Sequence, residues 1–307
     1  MKKIPIIIDC DPGVDDVLAI MLAHTKEELE IKAITTVSGN VTLNYTTHNA
    51  RLAAGLIGLQ VPIAAGADQP IVKKRVTASK VHGEDGFGGY ASLFLQEQLA
   101  PLSTLSAREL LYQTLMESEE SITIVAIGPL TNIAILLLAH PEVKEKIAHI
   151  CFMGGGMTVG NVTPTAEFNF YVDPEAAQIV FNSGIKLTMI GLDVTTQADI
   201  RKEDILRFEK IEGEIAQIGT KILDSYASVD AALHDPVAIL ALTNPELLQG
   251  EDLFVQVETN EGSTRALTYA DRRHGRHPQE NCHVIWKIDR AKFLDEMEQA
   301  LRYYATH

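Results

Sequence analysis

Positive charge, cysteine and long apolar runs are all scarce in this 307-residue chain, and each shortage removes a class of function. Lys and Arg number 26 against 41 Asp and Glu, a formal net charge of −15, which disfavours nucleic acid because phosphate backbones are bound through excess basic residues. The three cysteines, Cys10, Cys151 and Cys282, show no metal-type spacing and suit a reducing compartment. No apolar run approaches the roughly 18 residues of a membrane span. Asp9 interrupts the apolar stretch behind Met1-Lys2-Lys3 before a signal-peptide core is complete. The expectation is a cytoplasmic protein with neither nucleic acid nor membrane as partner. Linkers, repeats and low-complexity segments are missing as well, so residues 1–307 read as a single domain, a length that α/β folds reach.

What is present is concentrated early. Asp9-Cys10-Asp11-Pro12-Gly13-Val14-Asp15-Asp16 crowds four carboxylates into eight residues behind the apolar run Ile4 to Ile8. The isoleucines read as a buried strand, Pro12-Gly13 as a turn, and Val14, Val17, Leu18, Met21 and Leu22 as one face of a helix. Acids this close raise one another's pKa values unless something positive compensates, and a hard divalent cation with oxygen ligands is the economical answer. The plain alternative is that one acid caps the helix while the others are solvated, but capping needs one acid and not four.

Further along, apolar strand-like runs alternate with helical stretches. Strands are expected over Ile31 to Val37, Val61 to Ala65, Ile122 to Ile127, Ala148 to Met153 and Lys186 to Ile190. Helices are expected over Leu43 to Leu59 and Ala107 to Glu117, with others opening near Pro129 and at Asp173-Pro174. The segment 66–89 reads as an irregular loop, 200–242 as helical, and Leu253 to Thr259, Arg265 to Tyr269 and Val284 to Ile288 as a late group of additional strands before a terminal helix from Arg290. Such alternation predicts an α/β fold with a mostly parallel central sheet flanked by helices. Ligands then bind beyond the carboxyl ends of the strands, where Asp11, Asn40, Ile127 and Met153 would meet.

Two later stretches add candidates. His234-Asp235-Pro236 precedes a helical run, and Asp with Pro at the first helical position is equally a common helix start, as at Asp173-Pro174. In Asn161 through Asn169, amides and the carboxylate of Glu167 alternate with small and apolar residues. Such groups suit sugar hydroxyls, and they also suit a solvated loop with local turns.

Taken together, these stretches resemble the inosine-uridine nucleoside hydrolase family, and within it the non-specific ribonucleoside hydrolases. The resemblance runs through Asp9, Asp11, Asp15 and Asp16, then Thr35-Thr36-Val37-Ser38-Gly39-Asn40, Val81-His82-Gly83-Glu84 and Ala126-Ile127-Gly128-Pro129-Leu130-Thr131-Asn132. It continues in Phe152-Met153-Gly154-Gly155, Ala166-Glu167-Phe168-Asn169, Asp173-Pro174-Glu175-Ala176-Ala177 and Leu233-His234-Asp235, spanning nearly the whole chain. It implies the family's Rossmann-like fold and calcium-dependent hydrolysis of the N-glycosidic bond of ribonucleosides in nucleoside salvage, by a homo-oligomer, dimer or tetramer.

By residue, the resemblance implies Asp11, Asp16 and Asp235 as side-chain ligands of Ca2+ (calcium), with the carbonyl of Ile127 as a further ligand. A water on that ion would be the nucleophile and Asp11 its general base. Asp15, Asn40, Asn161, Glu167 and Asn169 would hold the ribose hydroxyls, and Met153 would line the ribose face. The departing base needs a proton, for which His234 is the candidate, with His82 also near the base. Asp9 would orient its neighbours. The chain departs from the family's pattern ahead of the His-Asp pair, where it offers mainly Tyr226 in place of an aromatic-rich segment. The basic segment Asp271 through His277 carries no chemistry in this reading and serves solvation or subunit contact.

Two rivals stand beside this reading. Asp9 and Asp11 have the spacing of the nucleophile and proton-handling acid of a haloacid-dehalogenase-type phosphohydrolase, though Pro12-Gly13 departs from that motif. A non-catalytic nucleoside-binding protein on the same fold is the other.

Overall fold

Residues 2–94, 99–273 and 279–306 are described by a computed structural model. The isoleucine run forms strand β1 (Ile4–Cys10), with Ile6 and Ile8 packed in one apolar cluster and Ile7 in another, one on each face of the sheet. A strand buried on both faces has no polar alternation, which is why the run is continuously apolar. Helix α1 (Val14–Thr25), strand β2 (Leu29–Thr36), helix α2 (Leu43–Leu56) and strand β3 (Ile63–Ala65) follow. Helix α2 stops three residues short of the expected Leu59, where Gly58 takes the left-handed backbone (φ 67°) that ends helices.

A short helix α3 (Ser79–His82) interrupts the segment expected to be irregular. Helix α4 (Ala107–Glu117) ends as expected, held at its start by Ser106 and Glu109 in a reciprocal cap. Strand β4 (Ile122–Ala126) leads into helix α5 (Thr131–Ala139), which opens after Pro129 rather than on it. Strand β5 (Ile147–Met153), helices α6 (Phe168–Val172) and α7 (Pro174–Phe181), strand β6 (Leu187–Ile190) and the single turn α8 (Leu192–Thr195) complete the alternating part.

The expected helical region is three helices, α9 (Lys202–Phe208), α10 (Glu214–Ala227) and α11 (Pro236–Thr243). The late strands divide into β7 (Leu248–Leu253), β8 (Val255–Val257), β9 (Thr268–Ala270) and β10 (Cys282–Ile288), before the terminal helix α12 (Arg290–Thr306). The main sheet has the order β3-β2-β1-β4-β5-β6-β10-β7, parallel throughout except for the antiparallel β10–β7 pair, while β8 and β9 form a separate antiparallel ribbon. The late strands are therefore not one group: β10 extends the parallel sheet beside β6. Strand β7 was not legible because it is an exposed edge written with Gln249, Gly250, Glu251 and Asp252. Arg272 and Arg273 of the basic segment pair with Glu251 and Asp271, whereas His274 through His277 lie outside the described residues. No helix among the described residues is long and apolar enough to cross a membrane.

The parallel order places the carboxyl ends of β1, β2, β4 and β5 side by side. Asp11, Asn40, Ile127 and Met153 sit at or just beyond those ends.

Candidate active site

A cavity of about 540 Å³ opens above those strand ends. Its lining includes Asp15, Asn40, His82, Ile127, Met153, Asn161, Glu167, Asn169, His234 and Asp235, from segments distant in the chain. Asp11 and Asp16 lie buried just beneath.

The turn after β1 is built by its own acid. Asp16, in the first turn of α1, accepts hydrogen bonds from the backbone N–H groups of Asp11 (3.0 Å) and Gly13 (2.9 Å). Asn40 clamps the same turn: its backbone N–H donates to Asp11 Oδ2 at 2.6 Å, and its side-chain amide donates to the Asp11 carbonyl and to Asp16 Oδ2. Gly39 and Gly128 flank the Asp11 carboxylate so closely that a Cβ on either would collide with it. The Ser38-Gly39-Asn40 and Ile127-Gly128-Pro129 stretches thus make room for one carboxylate. Gly13 plays the same part for His82, whose ring lies where a Cβ would be.

Asp235 resolves the ambiguity left by its sequence. At Asp173-Pro174 the aspartate caps its helix, Oδ1 accepting from the backbone N–H of Ala176 at 3.1 Å. Asp235, in the same position before Pro236, makes no side-chain cap bond. Its carboxylate instead joins those of Asp15 and Asp16, with one oxygen from each of the three within 4.8 Å of the others. Asp11 is outside that trio, but its Oδ1 is buried without a hydrogen-bond partner, as is Oδ1 of Asp15.

Buried like charges without a counter-charge resist ionisation. Burial, and then the charge of Asp16, raise the Asp11 carboxyl well above the usual range. Asp16 is pushed up to about 8, first by burial and then by Asp15. Asp235 is raised by burial and then by Asp15, Asp16 and Asp11. A donor set made wholly of oxygen, with orphaned buried carboxylate atoms and strong mutual repulsion, fits a hard divalent cation. The Ile127 carbonyl borders the cavity and accepts from the Asn169 amide at 3.0 Å.

Asp9 is different. It is fully buried in β1, does not line the cavity, and its Oδ1 accepts from Thr35 Oγ1 (2.5 Å) and Asn132 Nδ2 (2.8 Å). Burial lifts it to about 7 against the pull of those two bonds. With Oδ1 held by those two donors, Asp9 is poorly placed to be the nucleophile of the phosphohydrolase reading.

On the ribose side, the carboxylate of Glu167 is anchored by backbone N–H groups of Gly155, Asn169 and Phe170. Asn169 spends its amide N–H on the carbonyls of Ile127 and Met153. Asn161 is exposed at the mouth. Opposite stand the histidines. His82 stacks on Tyr226 with ring centroids 5.4 Å apart, and the Tyr226 hydroxyl donates to Asp15 Oδ2 at 3.3 Å. Burial lowers the His82 pKa, against the pull of Asp15. Burial pushes His234 down too, but the carboxylates of Asp230, Asp15 and Glu167 outweigh it and raise that pKa. Asp230 and Thr195, which contact His234, were not singled out from sequence; Asp230 lies four residues before His234, a spacing without meaning outside a helix.

Comparison with known proteins decides what kind of site this is. Residues 6–295 match the model of the inosine-uridine preferring nucleoside hydrolases. The chain belongs to that family. A pyrimidine-specific ribonucleoside hydrolase, RihA, of Salmonella typhimurium is 44% identical over 98% of this chain and 99% of its own. The solved purine-preferring ribonucleoside hydrolase of Gardnerella vaginalis superposes with a TM-score of 0.89 at 30% identity, covering 98% of this chain and 99% of that one. The inosine-uridine preferring nucleoside hydrolase of Bacillus anthracis, at 22% identity and a TM-score of 0.82, shares the fold over 98% of this chain and 99% of that one. The nucleoside hydrolase is therefore an enzyme acting on ribonucleosides, and its acidic cluster is where a metal ion would be held.

Proposed function

We propose that this nucleoside hydrolase uses calcium to cleave the N-glycosidic bond of purine and pyrimidine ribonucleosides, releasing ribose and free base. The observation that carries the reading is Asp235: a residue placed to cap a helix gives its carboxylate to a buried cluster on the cavity floor. In this proposal Asp11, Asp16 and Asp235 hold the ion with the Ile127 carbonyl. When bound, calcium would let these acids ionise together, acidify the attacking water and template the ribose diol.

Asp11 takes a proton from the water as its oxygen bonds to the anomeric carbon. The carbon–nitrogen bond breaks, its electron pair leaves with the base, and positive charge develops on the ribose carbon and ring oxygen. Asp15 and Glu167, both buried, would hold ribose hydroxyls, and their charge would favour that positive centre. Asn40 and Asn169, whose amide N–H groups are committed elsewhere, offer their oxygens to sugar hydroxyls, as Asn161 does from the mouth. Met153 lines the ribose face. His234 protonates the departing base, and His82, packed on Tyr226, shapes the wall beside it.

Three buried, free cysteines support a reducing, cytoplasmic setting, in which the activity would serve nucleoside salvage. We further propose one domain over 1–307 and a homo-oligomeric enzyme, a dimer or tetramer. Incubation with uridine or inosine should release reducing sugar, and Asp11→Asn should lower kcat by about 10³-fold without changing the circular dichroism of the fold. Undiminished turnover in that variant would remove Asp11 as the base.

A further inference from the structure

The imidazole of His234 is held at both ends. Nδ1 meets the hydroxyl of Thr195 at 2.7 Å, and Nε2 meets Oδ2 of Asp230 at 3.3 Å. A hydroxyl donates or accepts as needed, but an ionised carboxylate only accepts. Asp230 therefore decides the matter: the nitrogen facing it carries the proton, and Thr195 adapts to the other.

The surroundings hold this arrangement in register. Asp230 lies between α10 and α11, and its backbone N–H returns to the carbonyl of Tyr226 at 2.9 Å. Its Oδ1 accepts from the Ala232 N–H at 3.0 Å, leaving Oδ2 for the histidine. The next residues pair with the segment behind α8, through Ile200 N–H to Ala231 O (2.7 Å) and Leu233 N–H to Ala198 O (3.1 Å). That pairing fixes the spacing between Thr195, which ends α8, and His234. The side chain of Asp230 is 33% exposed and lines the cavity, whereas that of His234 is 8% exposed. The Nε2–H thus points along the cavity wall toward an acceptor at the long end of hydrogen-bond range. A base nitrogen entering the cavity can take over that proton without the ring turning.

We propose that Asp230 is a positioning residue that fixes the rotation of the protonated His234 ring, so that the Nε2 proton is the one delivered to the departing base and the ring is left neutral with its remaining proton on Nδ1, facing Thr195. The proposal rests on the assignment of His234 as the leaving-group acid, and its test separates the two. The variants Asp230→Ala, His234→Ala and the double variant are assayed on uridine and inosine, and on 4-nitrophenyl β-D-ribofuranoside, whose leaving group departs as a stable anion. Asp230→Ala should lower kcat on the nucleosides by roughly 10- to 100-fold, the range seen when an orienting partner is lost. KM should move little, and the nitrophenyl riboside should hardly respond. The double variant should be no slower than His234→Ala alone, because Asp230 acts through the ring. Equal losses on both kinds of substrate, or multiplying losses in the double variant, would overturn the positioning role while leaving His234 as the acid. If His234→Ala itself slows both kinds of substrate alike, the acid assignment falls and this proposal falls with it. Melting temperatures of the variants check that each is folded.

Discussion

Asp173-Pro174 and Asp235-Pro236 are the same dipeptide at the start of helices of the same length, yet they do opposite work. Asp173 closes a structural joint: Oδ1 caps α7 through Ala176, and Oδ2 accepts from Thr131 Oγ1 (2.7 Å) and the Ile71 backbone N–H (2.9 Å). Every bond satisfies a donor that would otherwise be orphaned. Asp235 leaves its own helix uncapped and feels the charge of four other acids, Asp15, Asp16, Asp11 and Glu167. The difference teaches that the same dipeptide can close a cap or give its carboxylate to a buried acidic cluster, and that only the packing around it separates the two. Strain of that kind persists at sites where a ligand relieves it.

The largest test of the contrast is Asp235→Asn. It should lower kcat/KM by about 10³-fold or more, on the scale expected when an electrostatic or acid–base group is lost, while the melting temperature of the metal-free protein holds or rises because an amide replaces a carboxyl that its buried acidic neighbours disfavour. A stability loss with little change in activity would make Asp235 a second Asp173. Next comes removal of the metal. Exhaustive chelation should abolish turnover and calcium should restore it; activity that persists in chelator would take the ion out of the mechanism. Calcium at about 100 times its Kd should also stabilise the fold by roughly 2.7 kcal/mol, read from the shift in melting temperature.

The acidity of the cluster gives a third test. Asp16 and Asp9 keep their protons to about 8 and about 7 when folded, but release them near 3.8 once the chain unfolds. Over the interval between, the folded state binds more protons than the unfolded chain, so metal-free stability must fall as pH rises from about 4 through about 8. The cation ionises the acids when it binds, so the loaded protein should show a shallower slope and bind more tightly at higher pH. A metal-free melting temperature that does not fall between pH 5 and 8 would break the account of mutual repulsion. Asp173→Ala should show the reverse of Asp235→Asn: a loss of about 1–3 kcal/mol of stability from the missing cap and orphaned donors, with kcat of the folded fraction nearly unchanged. The smallest effect should come from Asp9→Asn, which keeps an acceptor for Thr35 and Asn132 outside the cavity. A loss of more than about tenfold in kcat there would promote Asp9 to the floor of the site.

Much of the scaffold was readable because buried parallel strands must be continuously apolar, as at Ile4 to Ile8 and Ile122 to Val125. Helix α4 has the bounds expected from the sequence, and α12 begins at the expected Arg290. Strand β7 was not readable, since an exposed edge strand carries no apolar signal. The short helices α6 and α8 are too brief to show a period. In the site, Asp15, Asn40, His82, Glu167 and His234 were nominated by residue type and resemblance, and the cavity gathers them. Asp230 and Thr195 escaped notice because each matters only through its distance to His234.

The sequence by itself determined the class of sheet, the family and the acids after the first strand, because apolar runs and ordered motifs are local properties. Only the tertiary structure decided that Asp235 does not cap its helix, that Asp9 is held by Thr35 and Asn132, and that Asp230 contacts His234. Each of those facts depends on which groups meet across segments far apart in the chain or on how a backbone turn aims a side chain. One-dimensional spacing does not encode that geometry.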